Sequence, residues 1–248
     1  MADPLSAAPA PADWHRHTTA DAGPEVASVV TYGADLPTEA DLRLLGSVEG
    51  RRILDLGCGA GANAVALAAQ GAKVLAVDPD VAALGRARDR AEAAEVRVEL
   101  HQAGLAELAF LRSDSVDAAI SVLALASVDD LARVFRQVHR VLKPEAAFIC
   151  SFPHPAFGMI DPTAADPLRI VRAYDDGAPR SWELHGDPVV DRVRTIGEVF
   201  TTLQRASFGV DQLLEPTATG AGPRTAASAD VARLVPATVV FRARKQGN

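Results

Sequence analysis

A chain of 248 residues, 48% hydrophobic and 23% charged, is long enough to bury one sizeable core with a modest cap. The net charge is −7 and no basic cluster stands out, which argues against a nucleic-acid-binding surface. Cys58 and Cys150 have no metal-ligand spacing to the six histidines, so no metal is expected. Met1 is followed by neither a basic nor an apolar leader segment, and the longest apolar stretch, near 118–128, is too short to span a bilayer. A cytoplasmic protein without a membrane partner is therefore expected. Lysine occurs only at Lys73, Lys143 and Lys245 against many arginines, which hints at a high-GC bacterial source.

Residues 1–13 are rich in Ala and Pro and read as a flexible tail. Thr38 to Leu45, behind Pro37, predicts a short helix. The stretch that organises the chain is Arg51 to Asp80. It opens with a short apolar run, Ile53 to Leu56, of strand length, and turns through Gly57, Gly59 and Gly61. Ala62 to Gln70 has helix-forming composition with Gly71 at its end, and a second apolar run, Val74 to Val77, ends in Asp78. Strand, glycine turn, helix, strand and acid make half of a nucleotide-binding α/β fold, with Asp78 placed to hold ribose hydroxyls.

Asp55 discriminates among nucleotides. A carboxylate two residues before the first glycine would face a dinucleotide's pyrophosphate, a clash of roughly 4 kcal/mol at about 4 Å and an effective dielectric of about 20. S-adenosylmethionine reverses the sign, because its amino-acid end carries an ammonium and its sulfur is a cation. Leu54-Asp55-Leu56-Gly57-Cys58-Gly59-Ala60-Gly61 resembles motif I of the class I S-adenosylmethionine-dependent methyltransferases of bacterial small-molecule type. The resemblance runs from Arg51 to the C-terminus and is strongest over the first half. It implies a Rossmann-like, doubly wound, seven-stranded and mostly parallel sheet with an antiparallel last strand and helices on both faces. It also implies S-adenosylmethionine as cofactor, with Asp55 near the methionine ammonium, Asp78 on the ribose, and Gly57, Cys58, Gly59, Pro79 and Ser121 around the ligand. Residues 14–50 are then expected to form an N-terminal lid, with Trp14, Arg16, His17 and Tyr32 as its candidate side chains.

Beyond Asp78, Pro79 suits a first helical position and Asp78 or Asp80 a cap, followed by an amphipathic helix marked by Val81, Leu84, Ala87 and Ala91. Val96 to Leu100 alternates with period two and predicts a third strand. Gly104 stands where the family carries an acid that contacts the adenine amine, which leaves Gln102 or the backbone of Leu105 to hold the base. Val116 to Ser121 predicts a fourth strand, and it lacks the Asn/Asp-Pro-Pro-aromatic motif used to methylate adenine or glutamine amino groups. Ser127 is the expected cap of a helix whose face is Leu131, Val134, Phe135, Val138, Val141 and Leu142, and Ala146 to Phe152 predicts the fifth strand. The family's usual Gly-Gly after Lys-Pro is replaced by Glu145-Ala146.

Regular alternation stops from Pro153 to Arg194, read as a cap insertion over 153–194 that shapes the acceptor pocket. Thr195 to Glu198 fits a capping box, and Phe208 to Leu214 and Pro236 to Ala243 predict two closing antiparallel strands. The organisation expected is a cofactor core at 51–152, the cap, and a C-terminal helix and hairpin at 195–248. Transfer of a methyl group to O, N or C of a small molecule needs mainly proximity and orientation, with a base only if the acceptor must lose a proton. His154 is the first candidate base, followed by Tyr174 and His185. The competing readings are a nicotinamide-dependent reductase, disfavoured by Asp55 and by the lack of a Tyr-x-x-x-Lys pair, and a non-catalytic protein that binds S-adenosylmethionine. A monomer or homodimer is expected.

Overall fold

A computed structural model describes residues 29–33, 36–161, 164–184, 187–217 and 231–247. The elements in chain order are α1 (Glu39–Leu42), β1 (Arg52–Leu56), α2 (Ala62–Ala69), β2 (Lys73–Asp78), α3 (Val81–Ala93), β3 (Val98–Gln102) and β4 (Val116–Val122). Then follow α4 (Leu131–Val141), β5 (Leu142–Pro153), α5 (Pro155–Gly158), β6 (Arg180–Leu184), β7 (Asp187–Asp191), α6 (Ile196–Arg205), β8 (Phe208–Leu214) and β9 (Thr238–Lys245). Seven strands form one sheet in the order β3-β2-β1-β4-β5-β9-β8, parallel as far as β5, with β9 antiparallel to both its neighbours. The order reverses between β1 and β4, which opens a crevice at the carboxyl ends of those strands.

Alternation along the strands sends successive side chains to two separate cores. Leu54, Leu56, Leu75 and Val77 pack with α4 and α6 on one face. Ile53, Val74, Ala76 and Ile120 pack with α2 and the N-terminal segment on the other. Asp55 shares the strand face of Ile53, so its side chain comes out against α2 at the C-terminal end of β1.

Several local expectations are corrected. Asp80, not Pro79, sits at the start of α3: its carboxylate accepts from the Ala82 amide at 2.8 Å, and Pro79 lies before the cap. Asp130 caps α4 through the Arg133 amide, whereas Ser127 ends a short 3-10 helix over Ala124–Ser127. Leu142 leaves the helix face to begin β5. Residues 153–194 hold an antiparallel hairpin, β6–β7, where no strand was expected. Glu145 takes φ 61°, the left-handed conformation that a glycine adopts without a Cβ penalty.

The N-terminal segment is tied down by a buried carboxylate. Glu39 accepts from the amides of Leu44, Leu45 and Gly46 at 2.9, 2.8 and 3.0 Å, and from the Tyr32 hydroxyl at 2.7 Å. Thr31 and Asn63 exchange two 2.9 Å hydrogen bonds, which fasten this segment to the first turn of α2. Tyr32 is therefore not a lid side chain: it is fully buried, and burial, then Glu39, push its phenol pKa up. Trp14, Arg16 and His17 lie outside the described residues.

Glu39→Ala strands three amides and a phenol, and is expected to cost about 3 kcal/mol or more in urea unfolding. Glu145→Gly is expected to raise stability by about 0.5–1 kcal/mol, since relief of left-handed strain exceeds the entropy that glycine adds. A fall in the denaturation midpoint would contradict the second expectation.

Candidate active site

The turn after β1 is built from three glycines with positive φ: Gly57 at 76°, Gly59 at 53° and Gly61 at 77°. Two of them are pressed from behind. A Cβ on Gly57 would meet the Ala124 methyl at 2.2 Å, and one on Gly61 would meet the Ala87 methyl at 2.7 Å. Gly59 is different, because a Cβ there would meet nothing within 4 Å among the described residues. The turn is thus closed on its inner sides and open above Gly59, where a ligand can approach bare backbone.

Beneath the turn sit two carboxylates. Asp78, at the end of β2, accepts from the Gly59 amide at 2.8 Å through one oxygen and from the Asp80 amide at 2.9 Å through the other. Each oxygen keeps a lone pair for a further donor, as a ribose diol requires. Burial raises the pKa of Asp78, opposed by these two amides. Asp55 is only 2% exposed; the Ala64 amide at the start of α2 donates to its carboxylate, yet Oδ2 has no hydrogen-bond partner among the described residues. Burial first, and then the Asp78 carboxylate, push its pKa up to about 7. A carboxylate oxygen left without a partner among the described residues calls for a further donor, and a cationic one matches both its charge and its position. The residues therefore fit S-adenosylmethionine: Asp55 for the ammonium, the Gly57–Gly59 backbone for close approach, and Asp78 for the ribose.

Cys58 lies beside both carboxylates, and burial together with their charges pushes its thiol pKa up. Ser121, fully buried, donates to the Leu56 carbonyl at 2.7 Å and so fixes the ends of β4 and β1 to each other. Gln102 is exposed at the end of β3, and Leu105 is buried beside the turn, 3.6 Å from a Cβ on Gly57. The space at Gly104 is bordered by the side chain of Glu107 at 3.3 Å.

The candidate base does not hold. The Ala156 amide donates to His154 Nδ1 at 3.1 Å, capping α5, so Nε2 carries the proton and donates to Glu215 at 2.7 Å. Neither ring nitrogen has a lone pair left to take a substrate proton. Tyr174 stands 41% exposed on a turn of the insertion, and His185 lies outside the described residues. Three residues of structural weight escaped the sequence reading: Glu39, Asn63 and Arg194, whose guanidinium is buried against the Leu125 and Val128 carbonyls. Among the described residues no cluster of His, Cys, Asp and Glu could hold a metal ion, and no helix is long and apolar enough to cross a membrane.

Comparison with known proteins agrees with this geometry. Residues 54–150 match the methyltransferase domain family. A crystal structure of an S-adenosylmethionine-dependent methyltransferase from Mesorhizobium loti is 32% identical, with a TM-score of 0.67 over 83% of this chain and 96% of that one. A ubiquinone biosynthesis O-methyltransferase of Alkalilimnicola ehrlichii is 40% identical over 107 residues, 43% of each chain. An uncharacterised methyltransferase of Mycobacterium bovis is 35% identical over 168 residues, 68% of this chain and 61% of that relative. The matches thus span about half the length of these curated relatives. With the strand order, the glycine turn and the paired carboxylates, they establish that the chain belongs to the class I S-adenosylmethionine-dependent methyltransferase family.

Proposed function

We propose that the chain transfers a methyl group from S-adenosylmethionine to an oxygen of a small, phenol-like acceptor. The observation that carries this reading is Asp55, a buried carboxylate with an unsatisfied oxygen under a glycine turn that is open at Gly59. Bound there, S-adenosylmethionine supplies a methyl on a cationic sulfur, which an acceptor atom takes as the sulfur–carbon bond breaks. The chain's own part is to bind and orient. Asp55 neutralises the ammonium, Asp78 accepts from the ribose, and Leu105 and Gln102 border the adenine. The turn itself is immobilised by the methyls behind Gly57 and Gly61. Residues 153–194 shape the acceptor side, an assignment supported by their departure from the carboxyl end of β5 beside the crevice.

With both nitrogens of His154 engaged, proximity and orientation are the main contribution proposed for the chain. A phenol or hydroquinone suits that economy, because its proton can leave to water more readily than that of an alcohol. The relative named as a ubiquinone biosynthesis O-methyltransferase supports oxygen as the acceptor atom. A bacterial cytoplasmic setting is supported by the bacterial relatives and by the free thiols Cys58 and Cys150.

Titration calorimetry is expected to detect S-adenosylmethionine and no NAD, and labelled donor is expected to label one of a panel of phenols and hydroquinones. Asp55→Ala should weaken donor binding about thirtyfold, the scale of a lost charge-assisted hydrogen bond of about 2 kcal/mol. Unchanged affinity in the folded variant would contradict the assignment.

The raised pKa of Asp55 has a definite sign. Between the unfolded carboxyl's value of about 3.9 and the folded value of about 7, the folded chain holds a proton that the unfolded chain has lost. Stability of the unliganded protein therefore falls as pH rises through that window, and Asp55→Asn should flatten the fall. Donor affinity should run the other way. It should rise between about pH 5.5 and 7.5, by at most about tenfold per unit, because the ammonium binds the ionised carboxylate. Calorimetry across that range checks both the slope and its loss in Asp55→Asn.

A further inference from the structure

The Ala124–Ser127 helix touches the glycine turn on one side and the segment leaving the β6–β7 hairpin on the other. Leu123 enters it in the left-handed conformation, φ 61°, with its amide donating to the Ser151 carbonyl at 3.1 Å and to the Ser151 hydroxyl at 3.2 Å. Ala124 then packs so close to Gly57 that no side chain fits there. A helix this short satisfies its carbonyls only in part: Leu125 O accepts from the Val128 amide at 3.3 Å and keeps a second lone pair. The segment 191–195 meets them. The Arg192 amide donates to Ala126 O at 2.9 Å, Arg194 Nη1 donates to Leu125 O at 3.2 Å, and Arg194 Nη2 donates to Val128 O.

Between the two arginines, Val193 turns the other way, into a small core with Phe157, Ile160, Val231 and Ala232. Arg194 itself is 6% exposed, and Glu198 faces its Nε at 3.4 Å. A buried cation is costly unless its geometry is well used. A planar fork that spans two carbonyls and a carboxylate is that use, and a lysine, with all its donors on one atom, cannot reproduce it.

We propose that Arg194 is a positioning residue for the donor site, holding the Ala124–Ser127 helix against Gly57 from the far side of the loop. The effect is indirect: Arg194 fixes the helix, Ala124 limits the movement of Gly57, and the turn keeps the shape that receives the ligand. The inference rests on the reading of that turn as the donor site.

The test compares Arg194→Lys, Ala124→Gly and the double variant, reading S-adenosylhomocysteine affinity by calorimetry and the melting temperature of the unliganded proteins. Arg194→Lys is expected to weaken binding about tenfold and Ala124→Gly about threefold, within the range for supporting contacts remote from a ligand. In the Ala124→Gly background the lysine substitution should cost less than in the wild-type chain, because the contact it acts through is already gone. A lower melting temperature with unchanged affinity in Arg194→Lys overturns the proposal, as do two effects that multiply independently. If Arg194→Lys does not fold, Ala124→Gly decides alone, and unchanged affinity there overturns it. No binding by the wild-type chain overturns the donor reading as well; wild-type binding that Arg194→Lys leaves intact overturns this inference only.

Discussion

A carboxylate confined beneath the glycine turn, with one oxygen satisfied and the other without a partner among the described residues, is the constraint from which the rest of the site follows. Asp55 reaches that place because the last residues of β1 alternate between two cores, and its face is the one that meets α2. The Ala64 amide partly compensates it, while Asp78 nearby makes its ionisation harder. Ionisation becomes favourable when a positive group arrives. The fold thus places two neighbouring carboxylates at the point where strand order reverses, a setting that suits a cationic ligand better than a phosphate-bearing one.

Keeping such a site in shape takes rigid surroundings, and buried polar groups supply them. Glu39 gathers three amides and a phenol under the N-terminal segment, and the Thr31–Asn63 pair carries that order to the first turn of α2. Across the crevice, Ser121 joins β4 to β1 and Ser151 receives the Leu123 amide. These groups share a feature: each satisfies backbone atoms in a loop or at the end of a helix or strand. Apolar packing builds the two cores, and directed hydrogen bonds set the loops between them.

The sheet and the glycine turn were legible because their signals are local. Asp55, the glycines and Asp78 occupy one unbroken strand–turn–helix–strand run, and the face of α4 shows in the spacing of Leu131, Val134, Phe135 and Val138. What stayed hidden depends on contacts far apart in the chain. Glu39 reads as an ordinary first-turn acid until Arg43, at φ 50°, folds the following amides back over it. Arg194 looks like one more surface arginine until the segment after β7 lies against the Ala124–Ser127 helix. The β6–β7 hairpin was obscured by Asp187 and Pro188 at the start of its second strand, residues that disfavour strands. His154 misled for another reason. Pro155 after it was a helix-start signal, and the ring caps α5 through Nδ1 where a Ser or Asp is usual.

The most direct measurement is a crystal structure of the complex with S-adenosylhomocysteine, which keeps the amino group of the donor. The account predicts that this nitrogen stands within hydrogen-bond distance, about 3 Å, of Asp55 Oδ2 or is joined to it through a single water. An amino group bound elsewhere, with Asp55 Oδ2 still unpaired beneath the turn, would contradict it.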